Sequence, residues 1–218
     1  MNNLISFPLK PSKIAIILNG ERTSFFILKN NWHNYEHIII CDGAWDTIND
    51  KLAKKAVADN ITILGDGDSI NNYPKNFIQL LDEYTTDFEK AIQWILQHNS
   101  GKKHINIDVF WANGKALDHT LGNLAIASKY AKKVTCHFYA KQQYYRFVEN
   151  DFSIKSIVNR TVSIFPYPKY LVKSSKGFKY PMLNYSMQVN TQQSLRNEIF
   201  ANEAFITGIG SCFVFIQM

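Results

Sequence analysis

Paired cysteines, membrane-length hydrophobic runs and blocks of like charge are all missing from this 218-residue chain. The three cysteines, Cys41, Cys136 and Cys212, are odd in number and far apart. That argues against a disulfide framework or a CxxC zinc site and suits a reducing cytoplasm. The apolar runs at residues 14–18 and 37–41 fall far short of the roughly 20 residues a spanning helix needs, so no membrane association is expected. Residues 1–13 carry Pro8 and Pro11 and lack the apolar core of a secretory signal. Neither a GxxxxGK[ST] P-loop nor a GxGxxG dinucleotide fingerprint occurs, and there are no internal repeats or low-complexity tracts. Lys and Arg total 24 against 18 Asp and Glu, a net charge of +6. The basic residues nevertheless come in ones and twos, mostly near expected helix ends, and no run reaches five. That distribution argues against a nucleic-acid partner.

What is present is an ordinary globular composition, 46% hydrophobic and 19% charged, in a length between one domain and two. Residues 13–18, 37–41 and 61–64 are short unalternated runs rich in Ile, ending at Asn19-Gly20, Asp42-Gly43 and Gly65-Asp66-Gly67-Asp68. Runs of this kind suit strands of a parallel sheet buried on both faces. Helical periodicity follows the second run over residues 45–58. It is cleanest where Phe88, Ala91, Ile92, Ile95 and Leu96 form one stripe behind a Thr86-x-x-Glu89 capping box. After a further strand at 105–110, a helix is expected over 118–131 with Leu121, Leu124, Ala125 and Ser128 inward. From about residue 134 only short strands follow, with Asn150-Asp151 and Asn159-Arg160 reading as tight hairpins. The expected fold is α/β: an N-terminal three-layer parallel-sheet domain over residues 1–135, followed by a smaller all-β sandwich domain over 136–218.

Chemistry concentrates at the strand ends. Asp66 and Asp68, at i and i+2, project to one side of extended chain at the carboxyl end of a buried strand, where open α/β sheets bind ligands. With no Lys or Arg near in sequence, a hard divalent ion such as Mg²⁺ is an economical counter-charge, although a solvated Asp-Gly turn fits equally well. Asp42 repeats the pattern one strand over, and three acids on one sheet edge favour a metal site. Asp87 and Lys90 open the capped helix; a lysine there opposes the helix dipole and hints at an anionic ligand. In residues 113–123, Gly114 and Lys115 suit a phosphate cradle, Asp118 a helix cap, and His119 a ligand hydrogen bond. Gly122 and Asn123 are poor helix formers whose presence needs a packing or functional reason.

Taken in order, Asp42-Gly43-Ala44, Gly65-Asp66-Gly67-Asp68-Ser69-Ile70, Thr86-Asp87-Phe88-Glu89-Lys90-Ala91 and Asp118-His119-Thr120-Leu121-x-Asn123-Leu124 resemble the thiamine pyrophosphokinase family. Residues 162–166, Lys176-Gly177-Phe178-Lys179-Tyr180 and Asn197-Glu198 carry the resemblance into the second half, so that it runs from about residue 13 to the C-terminus. It implies transfer of the pyrophosphoryl group of ATP to the hydroxyl of thiamine, with release of AMP. It also implies a homodimer whose site lies between the α/β domain of one subunit and the β-domain of the other. Asp42, Asp66 and Asp68 are then expected to hold Mg²⁺, with Asp87 completing the cluster or accepting the hydroxyl proton. Lys90 and Lys115 would steady phosphates, Ser69, Thr86, Gly114, Asp118, His119 and Asn123 would bind the nucleotide, and Ser194 and Asn197 would reach thiamine. The chain departs from the family at three places. Asn113-Gly114-Lys115 stands for Gly-Gly-Arg, Phe110-Trp111-Ala112 for a small glycine-containing stretch, and Ser194-Leu195-Arg196-Asn197-Glu198 for Ser-Asn-Glu. A pyrophosphokinase for another hydroxyalkyl acceptor, such as a pterin, and a non-catalytic nucleotide or nucleic-acid binder remain the alternatives.

Overall fold

A computed structural model of the chain describes residues 3–52, 60–155 and 157–218. It divides into two compact units, Pro11–Lys141 and Met1–Lys10 together with Gln142–Met218. The division falls after residue 141, not near 135, because the strand at 134–139 still pairs within the parallel sheet. The first ten residues join the second unit through β1 (Asn3–Ser6), which pairs with a strand beyond residue 150.

The Pro11–Lys141 unit contains β2 (Ile14–Ile17), β3 (His37–Cys41), β4 (Ile61–Gly65), β5 (Phe77–Gln79), β6 (Ile105–Phe110) and β7 (Val134–Tyr139). Neighbouring strands are parallel, in the order β7-β6-β2-β3-β4-β5. The Ile-rich runs are strands for the expected reason: every residue of β2 and β4 is buried, and Ile38, Ile39 and Ile40 are fully enclosed. Each such side chain contributes about 1.5–3 kcal/mol relative to exposure. The crossovers carry α1 (Phe25–Asn31), α2 (Ala44–Leu52), α3 (Asp87–His98) and α4 (Leu117–Lys129). Residues 53–58 of the expected second helix lie outside the described residues. None of the helices described is long and apolar enough to cross a membrane.

From β2 the chain builds outward through β3, β4 and β5, then returns to the other side for β6 and β7. The order therefore reverses between β2 and β6, and a crevice opens there beyond the carboxyl ends of the strands.

Helix α3 begins as expected, with the Thr86 hydroxyl accepting from the Glu89 amide at 3.3 Å. The reciprocal half of the capping box is replaced. The Glu89 carboxylate instead accepts from Lys129 Nζ and the Tyr130 hydroxyl, tying α3 to the end of α4. Helix α4 is rotated from the expected face. Ile126 and Ala127 are buried, whereas Leu121 is 57% exposed and Ala125 also faces outward. A hydrogen bond from Asn123 Nδ2 to the Ala112 carbonyl, 2.9 Å, holds that rotation.

In the second unit, β8 (Gln143–Glu149), β9 (Phe152–Lys155), β10 (Thr161–Lys176), β11 (Leu183–Gln188), β12 (Ser194–Glu198) and β13 (Glu203–Gln217) make a largely antiparallel array. The two expected hairpins do not form. β8 and β9 lie end to end along β13, with Asn150 at φ 56° turning the chain between them. β9 takes β1 on its other side, and β10, which follows Asn159, pairs with β11, β12 and β13. β10 continues past Pro166 and Pro168 because its register with β13 shifts there, sparing the ladder the missing N–H groups.

Candidate active site

Asp42, Asp66 and Asp68 each sit just beyond a parallel strand, and Asp87 opens α3. Asp42 follows β3 with φ 38° and is fully buried. Its Oδ2 accepts from the Ser69 amide at 3.0 Å and the Ser69 hydroxyl at 2.7 Å, while its Oδ1 is buried without a partner. A Cβ on Gly65 would lie 2.7 Å from Asp42 Cβ and 3.3 Å from Asp87 Oδ1, so only glycine lets these three elements close on one another.

Asp66 and Asp68 follow β4, but the chain between them is a turn and not extended. Gly67 takes φ 94°, and Asp66 Oδ1 accepts from the Asp68 amide at 3.2 Å. The turn, together with Asp42, brings one carboxylate oxygen from each of the three acids within 4.8 Å of one another.

The cation absent from the neighbouring sequence comes from α3. Lys90, its side chain only 2% exposed, donates to Asp66 Oδ2 at 2.8 Å and lies 3.5 Å from Asp87 Oδ1. A lysine read as opposing the helix dipole is thus the internal counter-ion of the acids. Burial raises the Asp66 carboxyl, but the hydrogen bonds from Lys90 and the Asp68 amide outweigh it and hold the group below its ordinary range. Asp68 is pushed the other way, by burial and then by the charges of Asp66 and Asp42. The Asp87 carboxyl rises to about 6, through burial first and the Asp66 charge second, against the pull of Lys90.

The other wall is the loop after β6. Trp111, Gly114 and Lys115 have φ of 57°, 80° and 54°. The Gly20 amide donates to the Trp111 carbonyl at 2.9 Å and the Glu21 amide to the Asn113 carbonyl at 2.7 Å, lacing this loop to the one after β2. Between the two walls is a cavity of about 590 Å³. Asp66, Asp68, Asp87, Lys115, His119 and Asn123 are among its lining residues, with Ser69, Thr86, Gly114 and Asp118. Asp42 is buried behind Ser69, and Lys90 behind Asp66 and Asp87. Asp118 does not cap α4: the N-cap is Ala116, and Asp118 accepts from the His119 amide inside the first turn.

Ser194 and Asn197 lie in the second unit, on β12. Asn197 is buried and engaged. Its Oδ1 accepts from the Tyr180 and Glu198 amides, and its Nδ2 donates to the Tyr180 carbonyl at 2.8 Å. Ser194 is half-buried opposite Ile164.

Several site residues were not singled out from the sequence. Asn19, which follows the first strand run, lines the cavity, and so does Cys41 at the end of β3; Trp111, named from the sequence only as a departure from the family, lines it too. For Asn19 the signal was its place at a strand end at the reversal of strand order, which only the pairing reveals.

A parallel sheet whose switch-point crevice gathers three carboxylates, a fourth acid of raised pKa and two lysines suits the binding of a divalent ion and a polyphosphate, as a nucleotide-dependent phosphoryl-group transferase requires. The family model described as thiamin pyrophosphokinase, catalytic domain, matches residues 28–139, just over half of the chain. The chain belongs to that family. No curated protein sequence is significantly similar to it. Among solved structures it resembles the thiamin pyrophosphokinase of Candida albicans, with TM-score 0.81 at 20% identity over 100% of this chain and 93% of that one. The yeast thiamin pyrophosphokinase gives 0.83 at 17% over 99% and 90%. The Bacillus subtilis enzyme gives 0.75 at 21% over 94% and 97%.

Proposed function

We propose that the crevice between β2 and β6 is where this chain transfers the pyrophosphoryl group of ATP to the hydroxyl of thiamine, giving thiamine diphosphate and AMP. The single observation that carries the placement is the clustering of Asp42, Asp66 and Asp68 within 4.8 Å, with Asp42 Oδ1 buried and unpartnered. An orphaned buried carboxylate oxygen calls for a partner, and an all-oxygen set suits Mg²⁺. Asp42, Asp66 and Asp68 would hold that ion, which when bound neutralises polyphosphate charge and orients the reacting group.

The remaining roles fall to the chain's own groups. Lys115 and the positive-φ backbone at Gly114 face the nucleotide's phosphates, and Ser69, Thr86, Asp118, His119 and Asn123 line its side of the cavity. Lys90 keeps Asp66 ionised and lies between it and Asp87. As the thiamine oxygen bonds to the β-phosphorus, the bond to the α-phosphate oxygen breaks and AMP departs with the electron pair. Asp87, with a raised carboxyl pKa, is the group we assign to take the hydroxyl proton.

The same reading makes the Pro11–Lys141 unit a three-layer ATP- and Mg²⁺-binding domain and the Gln142–Met218 strands a sandwich serving thiamine binding and dimerisation. A homodimer would let Ser194 of a second copy reach thiamine. Asn197 would act there through the Tyr180 backbone it holds. The three free, buried cysteines support a cytoplasmic home. A panel of acceptors with AMP release as the readout tests the substrate: thiamine is expected to support release, and a pterin alone supporting it would overturn the assignment.

A further inference from the structure

We infer that Asn19 is a positioning residue that couples Lys115, on one wall of the crevice, to the acidic cluster on the other. The inference rests on the reading of that crevice as the ATP and metal site. Asn19 stands at the end of β2, where the strand order reverses, and so between the loops that follow β3, β4 and β6. Lys115 Nζ donates to Asn19 Oδ1 at 2.7 Å, and Asn19 Nδ2 reaches the Ser69 hydroxyl at 3.4 Å. The Ser69 hydroxyl in turn donates to Asp42 Oδ2 at 2.7 Å and accepts from the Gly43 amide at 3.2 Å.

Donor and acceptor chemistry fixes the direction of this chain. An ammonium has no lone pair, so it can only donate to the amide oxygen of Asn19. Ser69 has a single hydroxyl proton, committed to Asp42, so it must accept from the amide nitrogen. Asn19 therefore cannot flip without losing both bonds, and an aspartate at this position lacks the donor that Ser69 requires. Glycine at 43 makes the room: a Cβ there would lie 2.4 Å from Asn19 Nδ2.

Two consequences follow for the reacting site. Holding Asp42 Oδ2 through Ser69 leaves Oδ1 as the oxygen available to a cation. Holding Lys115 through a neutral amide keeps its charge uncancelled for phosphate: Lys115 takes part in no ion pair among the described residues. A carboxylate at position 19 would neutralise it. Asn19 thus sets the geometry on the metal side while preserving the field on the phosphate side.

The test uses binding, so that it is separable from turnover. Metal-free protein is titrated with Mn²⁺, followed by the paramagnetic signal of the free ion, and separately with α,β-methylene ATP by calorimetry. The proteins are wild type, Asn19→Ala, the isosteric Asn19→Leu, Ser69→Ala and Asn19→Ala/Ser69→Ala, with melting temperatures checked for each. Both Asn19 variants are expected to weaken Mn²⁺ and the analogue alike, each by about 5-fold or more, the equivalent of one net hydrogen bond. The double variant is expected to bind Mn²⁺ no worse than the poorer single variant, because both changes cut one chain. Mn²⁺ affinity within 2-fold of wild type in both Asn19 variants, or losses that multiply in the double variant, would overturn the coupling alone. Wild-type protein that binds neither probe would overturn the coupling and the placement of the site together.

Discussion

Lys90, one turn into α3, places its ammonium 2.8 Å from the carboxylate of Asp66, 24 residues earlier at the end of β4. The lysine side chain is all but closed to solvent, and its pKa is raised: burial opposes the charge, but Asp66 and Asp87 more than restore it. Lys90→Met would leave Asp66 and Asp87 without their common cation. Turnover is expected to fall by about 100-fold or more, the scale of losing one preorganised charge. Initial rates of AMP release check it, with circular dichroism to establish that the fold persists.

Asp87 makes a pH-dependent stability prediction. Its carboxyl titrates near 6 in the folded protein against an ordinary 3.8. A carboxyl raised on folding favours the native state below its unfolded pKa, and that stability is lost as the pH rises through about 6. In metal-free protein above pH 7, Asp87→Asn should therefore be stabilising, by at most roughly 3 kcal/mol. Thermal melts from pH 4 to 8 with a chelator present would show the gain at pH 8 and its disappearance toward pH 4. A gain independent of pH would contradict it.

Gly65→Ala tests the close approach of β4 to the cluster. The added methyl meets Asp42 Cβ at 2.7 Å, and neither backbone has slack to yield. A loss of about 1–3 kcal/mol in denaturant unfolding is expected, with displacement of Asp42 and a fall in activity larger than the stability loss explains.

Asp66→Asn and Asp68→Asn keep side-chain volume while removing cluster charge. Both are expected to fold and to lose turnover along with Mn²⁺ binding, and full activity in either variant would remove that residue from the metal site. Chelation of wild-type protein should abolish AMP release, and added Mg²⁺ should restore it.

The sheet was legible wherever burial on both faces wrote an apolar run, as in β2, β3 and β4, and β6 was legible from Ile105, Ile107, Val109 and Phe110 although Asn106 and Asp108 interrupt it. Strands β1, β5 and β12 were not, because Asn3–Ser6, Phe77–Gln79 and Ser194–Glu198 are short and mostly half-buried or exposed. Pro166 and Pro168 hid the length of β10, since only a register shift with β13 lets the strand pass them. The acids were visible as strand-end motifs. Their counter-ion was not, because Lys90 reaches Asp66 through the packing of α3 beside β4, a relationship that sequence spacing does not carry. Asn19 was hidden for the same reason: its partners Lys115 and Ser69 are 96 and 50 residues away.

The most direct test of the central claim is the product of the complete reaction. Protein, ATP, Mg²⁺ and thiamine are incubated together and followed by phosphorus NMR. The expected result is AMP and thiamine diphosphate appearing in equal amounts, with no ADP and no thiamine monophosphate. Formation of ADP with thiamine monophosphate, or no nucleotide conversion at any Mg²⁺ concentration, would contradict it.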